Sequence, residues 1–384
     1  MRVCIIGAGL SGLSAAHYLA QHADSTITIY EQSEVLGGRA NVIDGAEHCA
    51  RLFLDDYTHL LAILDAIPTA DGRSVHDTLQ AVTRYWHSAS AGWVEISHSH
   101  PVLAKEVPWR DKLQLMRERS RSPLLAQQDA GVSSNCYGSR KNHSLSSIAH
   151  VAANLLRTRT AYALPGSTDG CLIDPWARYL RDRGVAIETG TQVQAIAAAA
   201  RAVAVTTAAG RQEFDAVIVS AFVSDLIALL SASGLAHTLR AMPHTHRRVF
   251  SVTLHGAEPI LAGGQPAIYS RAGIAVVVQP QHRRCVVLCL RPISTDEGYV
   301  LARAREMLGL EYPLVDVRVR DNQRAAEALF VADQMDPSTV LARPLDHVYF
   351  AGSCMRNSYP ADSGEGAARS AFNAVRALRR SYEL

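Results

Sequence analysis

The chain has 384 residues, 48% hydrophobic and 19% charged, a globular balance that excludes long disordered tails. Thirty-eight Lys and Arg against 36 Asp and Glu leave a net charge of +2, too mild a surplus for a nucleic-acid-binding surface. No apolar run reaches the ~20 residues of a membrane span, and the opening one is too short and too glycine-rich for a secretory signal.

Val3 to Ile6 reads as a buried parallel strand. Ser11 to Gln21 reads as a helix, with Leu13, Ala16, Leu19 and Ala20 at helical spacing. Between them runs Gly7-Ala-Gly9-Leu10-Ser11-Gly12. Gly7 permits a tight turn, Gly9 lets the backbone approach a pyrophosphate, and Gly12 lets the helix pack closely on the strand. The free N–H groups at the helix start, around Leu10 and Ser11, then face the phosphate charge. A second strand, Thr26 to Tyr30, ends at Glu31, placed to bind a ribose diol and to repel a 2′-phosphate. Gly37-Gly38-Arg39 adds a second glycine turn with a guanidinium able to reach the pyrophosphate. These three parts in order point to bound FAD and disfavour NADP.

Further along, Arg110 to Arg121 alternates basic residues with Leu113, Leu115 and Met116, which suits a solvated helix face or a peripheral membrane contact. Ala195 to Ala204 reads as strand, turn and strand, and Asp215 to Ser220 as another strand. Arg248 to His255 and Arg283 to Arg291 read as strands, and Asp296 to Leu308 as a helix capped by Thr295. His244 and His246 would share one strand face, but without a third ligand at useful spacing no metal site is expected. The seven cysteines are scattered and odd in number, which fits a reducing cytoplasm. No second glycine-rich fingerprint is present for a nicotinamide cofactor.

Val3 to Ala40 resembles the glutathione-reductase-type FAD proteins, in the branch of flavin amine oxidases, phytoene-type desaturases and squalene-associated FAD enzymes. Asp346 to Ser353, followed by Ser363-Gly-Glu365-Gly366-Ala367, resembles that branch's closing motif, and Arg183 to Ile196 its adenine segment. The resemblance implies an α/β fold in which a Rossmann-like FAD-binding domain is interleaved with an α+β substrate domain. The cofactor domain would take 1–70, 164–240 and 345–384, and the substrate domain 71–163 and 241–344. It also implies that Val193 meets the adenine, that Gly352 and Ser353 approach the ribityl chain, and that Glu365, Gly366 and Ala367 meet the flavin edge and phosphate region. Ser353 stands where most relatives carry Asp or Glu. Relatives with covalent flavin carry a cysteine upstream of the closing Ala-Gly, and 333–350 has none, so the FAD is expected to be non-covalent.

The same resemblance sets Asp44 to Tyr57 beside the flavin ring. There His48 is a candidate acid or base, or a structural histidine. Arg51 would bind a carboxylate or phosphate of substrate, or pair with Asp55 at helical spacing. Tyr359 would face the substrate, or pack as a surface tyrosine. The expected activity is hydride abstraction, by desaturation or oxidation, from a small or medium apolar substrate of secondary or isoprenoid metabolism. Oxygen, a quinone or another acceptor would reoxidise the flavin. Amine or amino-acid oxidation is a second reading, although only Lys105, Lys112 and Lys141 are present and Ser363 replaces the expected aromatic residue. A non-redox isomerase, cyclase or mutase is a third, and a non-catalytic FAD-stabilised partner a fourth.

Overall fold

The computed structural model describes residues 1–22, 25–49, 51–89, 92–97, 104–113, 160–199, 201–238, 249–256, 267–271, 274–279, 284–289, 298, 302, 314–322, 334, 336–343, 345–359 and 363–382. Five parallel strands form the first sheet: β1 Arg2–Ile6, β2 Thr26–Tyr30, β3 Ala186–Glu188, β4 Ala216–Val219 and β5 Val348–Phe350. Their order is β3-β2-β1-β4-β5, with Ile6 beside Tyr30 on one side and Val219 on the other. This is the Rossmann arrangement, in which strand order reverses between β1 and β4 and leaves a crevice at their C-terminal ends.

The apolar runs of the sequence follow from burial on both sheet faces. Alternation sends Val3 and Ile5 of β1 into one core with Leu13 and Trp176, and Cys4 and Ile6 into another with Val205 and Leu226. Helices α1 Leu10–Ala20, α2 Thr58–Ala66, α3 Asp174–Arg181 and α5 Gly364–Ser381 gather at the first core, and α4 Val223–Ala232 at the second. The expected strand-turn-strand at Ala195 is an antiparallel pair, Ala195–Ala198 with Val203–Thr207, continued by Gly210–Phe214.

A seven-stranded second sheet has the order Leu314–Asn322, Val249–Gly256, Arg284–Cys289, Ile274–Gln279, Ala267–Arg271, Arg84–Ala89 and Gly92–Ile96. Two of its strands match expectation within a residue or two; Arg84–Ala89 and Gly92–Ile96 were not foreseen. Most of the helix expected from Asp296 to Leu308, His244 and His246, and most of the basic stretch from Arg110 to Arg121 lie outside the described residues. Among the described residues, no helix is long and apolar enough to cross a membrane.

Helices α1 and α3 meet through His17, whose ring stacks on Tyr179. Gln21 Nε2 lies 2.9 Å from His17 Nε2 and Tyr179 Oη 3.0 Å from Nδ1. The amide N–H donates, so Nε2 accepts and Nδ1 carries the proton of a neutral imidazole. Burial first, and Arg183 second, lower the His17 pKa from 6.5 to about 4. The unfolded chain therefore binds the extra proton between these values, and stability falls as pH falls through that window, by about 3 kcal/mol in total. Urea midpoints measured from pH 7 to pH 4 should show a shallower acid loss for His17→Phe than for wild type.

Candidate functional site

The glycine turn after β1 is required by its surroundings. Gly7 has φ +100°, and a Cβ there would lie 2.2 Å from Ser220 O; one at Gly12 would lie 1.9 Å from Gly7 O. Gly12 is thus a packing residue, as its position in the motif implies. Gly9, by contrast, faces open space: its added Cβ would meet only Gly38 Cα, at 3.8 Å. Gly9 is also the N-cap of α1 and has no side chain to cap it, so the helix start, with Leu10 and Ser11, opens on the cavity.

The second glycine turn lies directly against the first. Gly9 and Gly37 form a parallel backbone bridge, and Gly38, at φ +56°, leaves a would-be Cβ 3.0 Å from Gly9 Cα. Arg39 follows and donates from Nη2 to Ser353 Oγ at 2.9 Å, which joins the second turn to the strand end after β5. Glu31, buried at the end of β2, accepts Ala8 N–H at 2.7 Å and Ser33 N–H at 2.9 Å, one on each oxygen. These bonds fix the carboxylate at the cavity wall and leave each oxygen a second lone pair for a diol. Val193 lies nearby on the same wall, together with Thr191 and Gln194.

The closing helix is organised differently from expectation. Ser363, its N-cap, accepts Gly366 N–H on Oγ at 3.0 Å. Ser11 Oγ lies 3.3 Å from Ala367 O, which ties α5 to α1, and Ser370 Oγ accepts Gly352 N–H. Gly352, Ser353, Ser363, Gly364 and Ala367 line the cavity; Glu365 and Gly366 are not among the lining residues. Glu365 is fully buried, and its carboxylate accepts the N–H groups of His59 (3.1 Å) and Leu60 (2.8 Å) and Arg369 Nε (2.5 Å). Helix α2 has no side-chain cap of its own, so Glu365 caps it from α5. The Glu365 side chain thus serves the uncapped N–H groups of a neighbouring helix.

Tyr359 is buried rather than superficial, its hydroxyl donates to Asp56 at 3.3 Å, and its ring meets Tyr57 edge-to-face. It is not among the cavity-lining residues. Neither are Lys105 and Lys112, while Lys141 lies outside the described residues.

Beyond Arg39 the chain makes a short hairpin, Val42–Ile43 with Ala46–Glu47. Its corner residues Asp44 and Gly45 both have positive φ, the type I′ turn that Asp-Gly favours. The second sheet grips this hairpin. Thr253 Oγ1 accepts Glu47 N–H, Ser251 Oγ donates to Glu47 O, and Arg320 donates to Asn41 Oδ1 at 2.6 Å and to Ala46 O. Sequence reasoning missed Arg320 and Asn41; Asp44-Gly45 was the available hairpin signal.

The grip places His48 on the cavity wall. Burial first, then Arg51, Arg320 and Arg39 in that order, hold its pKa well below 6.5, so the imidazole is neutral near pH 7. Arg51 also lines the cavity and donates from Nη2 to Arg39 O. It does not form the helical pair with Asp55, because Leu52–Leu54 is a strand and Asp55 Oδ2 accepts Thr160 N–H.

The glycine turns, Glu31, Arg39, His48 and Arg51 line one cavity of about 460 Å³, within the usual range for cofactor sites. It runs from Val193 past Glu31, Gly9 and Arg39 to His48 and Arg51, where Leu52, Phe53 and Leu172 add apolar wall. Cys49 and Cys354, neither of them in a disulfide, also border it. The two adjoining glycine turns, the helix N-terminus and the fixed carboxylate fit the pyrophosphate and ribose of a dinucleotide. Among the described residues, no group of three or more His, Cys, Asp or Glu is placed to hold a metal ion.

Residues 5–67 match the family model of the NAD(P)-binding Rossmann-like domain. The fold resembles a proposed protoporphyrinogen oxidase from Exiguobacterium sp. 255-15, with TM-score 0.68, 16% identity and 99% of each chain covered. It also resembles an oxidoreductase from Methanosarcina mazei, at TM-score 0.65 and 15% identity over 98% of this chain and 100% of that one. Cyclohexylamine oxidase from Brevibacterium oxydans IH-35A aligns at TM-score 0.62 and 13% identity, over 100% of this chain and 99% of that one. The chain has their fold. No curated protein matches the sequence.

Glu365→Gln should lower stability by about 3 kcal/mol, because it removes a buried charge that serves two N–H groups and a guanidinium. The midpoint of urea unfolding checks this value, and a loss under 1 kcal/mol would show that the cap contributes little.

Proposed function

We propose that the chain is an FAD-dependent oxidoreductase that takes hydride from a carbon centre of a small or medium organic substrate, in a desaturation or oxidation. The single observation that supports it best is the continuity of the cavity. Its dinucleotide-fitting stretch, from Val193 to Arg39, runs without interruption into a partly apolar chamber at His48 and Arg51.

In this reading Gly9 and the N-terminus of α1 hold the pyrophosphate, Glu31 the adenosine ribose, and Val193 borders the adenine. Arg39 and Ser353, bonded to each other, border the ribityl region together with Gly352. When bound, FAD supplies a two-electron acceptor, and oxygen or a quinone would take the electrons on. Leu52, Phe53 and Leu172 exclude water from the chamber and orient an apolar body. Neutral His48 offers an uncharged hydrogen-bonding group there, able to accept a substrate proton once a nearby negative charge offsets the guanidinium groups.

The purified protein should be yellow, and acid precipitation should release FAD into the supernatant. Colour left in the pellet would instead mean a covalent bond, with Cys49 and Cys354 the cavity thiols to examine first. Gly9→Val fills the space in front of the helix start and should give folded, colourless protein; a fully flavinated variant refutes the assigned site. With a substrate that bleaches the flavin anaerobically, His48→Ala should keep FAD and slow bleaching by roughly 10²-fold. An unchanged rate would assign His48 to structure.

A further inference from the structure

Three guanidinium groups gather about His48. Arg39, Arg51 and Arg320 all lie close enough to His48 to act on it, and among the described residues the carboxylate acting on Arg320 is that of Glu47. Glu47 Oε1 is itself turned to Thr168 N–H, at 2.8 Å. Two of the guanidinium groups have visible work. Arg39 Nη2 binds Ser353, and Arg320 binds Asn41 and Ala46 through its terminal nitrogens.

Arg51 differs from both. Its Nη2 is braced against Arg39 O, while its Nε is shielded from solvent with no acceptor against it among the described residues. A shielded guanidinium N–H without an acceptor is costly, and it is satisfied best by an anion. Arg51 lines the cavity together with Arg39, whose carbonyl it holds, and with its chain neighbours Leu52 and Phe53. The wall at this point therefore has an apolar side and one cationic pole, which suits an amphiphilic acid better than a hydrocarbon or an ammonium ion.

We propose that Arg51 binds the carboxylate of the substrate, so that the chain acts on an organic acid with an apolar body. This rests on the reading of the cavity as the flavin and substrate site. The bound carboxylate would also supply the negative charge that lets the neighbouring imidazole take up a proton.

The test uses the FAD-loaded protein and follows the visible difference spectrum of its flavin during titration with decanoate, decan-1-ol and decylamine. Decanoate should bind at least about tenfold more tightly than decan-1-ol, and decylamine more weakly than either. Arg51→Met should keep its flavin and lose the preference for the acid. Equal binding of decanoate and decan-1-ol by the wild type, or tighter binding of decylamine, would overturn the proposal. So would an Arg51→Met protein that folds without FAD, since the guanidinium would then serve the cofactor. If that variant does not fold, the wild-type ratio of decanoate to decan-1-ol decides alone. A wild-type protein that carries no flavin would sink the functional reading instead, and the acid preference would then be measured calorimetrically on that same protein.

Discussion

The contact between two glycine turns at the edge of the parallel sheet is the constraint on which the cavity depends. Gly9 and Gly37 are bridged through their backbones, and Gly38 sits so close to Gly9 that a side chain on it would touch the opposite Cα. Because neither turn carries a side chain at the contact, the start of α1 and the Arg39 segment converge on one place. Glu31 adds a third tie, since its carboxylate holds the backbone of Ala8 within the first turn. The N–H groups at the helix start, the Glu31 carboxylate and the Arg39 guanidinium are thereby fixed relative to one another before any ligand arrives, which lowers the ordering cost of binding.

Helix α5 locks this arrangement from the opposite side. Its first turns contact α1 through Ser11, the end of β5 through Ser370, and the N-terminus of α2 through Glu365. One short stretch, Ser363 to Ser370, thus serves three separate elements through side-chain oxygens. The cavity wall there is built from the backbone of Gly364 and from Ala367, while the acid between them holds the scaffold.

The Rossmann-like half of the fold was legible in the sequence because its signals are local. A glycine spacing, an acid at the end of the next strand and a second glycine pair each report a backbone requirement within a few residues. Other features were read less well, for tertiary reasons. Glu365 was placed by its resemblance to a closing motif, and its capping role was missed because the N–H groups it accepts are more than 300 residues away in sequence. Arg51 was offered a helical partner that a strand removed. The second sheet joins Arg84–Ala89 in parallel to Ala267–Arg271, a pairing that no local pattern announces. Arg320 entered no reading, since a lone arginine in an alternating strand carries no mark of the hairpin that it grips.

That grip has a mechanical consequence. The second sheet reaches the Asn41 to Glu47 stretch through Ser251, Thr253 and Arg320, from two neighbouring strands. Any swing of that sheet that admits a bulky molecule must keep these bonds or break them together. If it keeps them, the hairpin is the fulcrum, and His48, which directly follows it, moves least of all the chamber walls. The part of the chamber that needs the finest placement would then lie on the axis of the motion, and traffic would pass at the edge farthest from it.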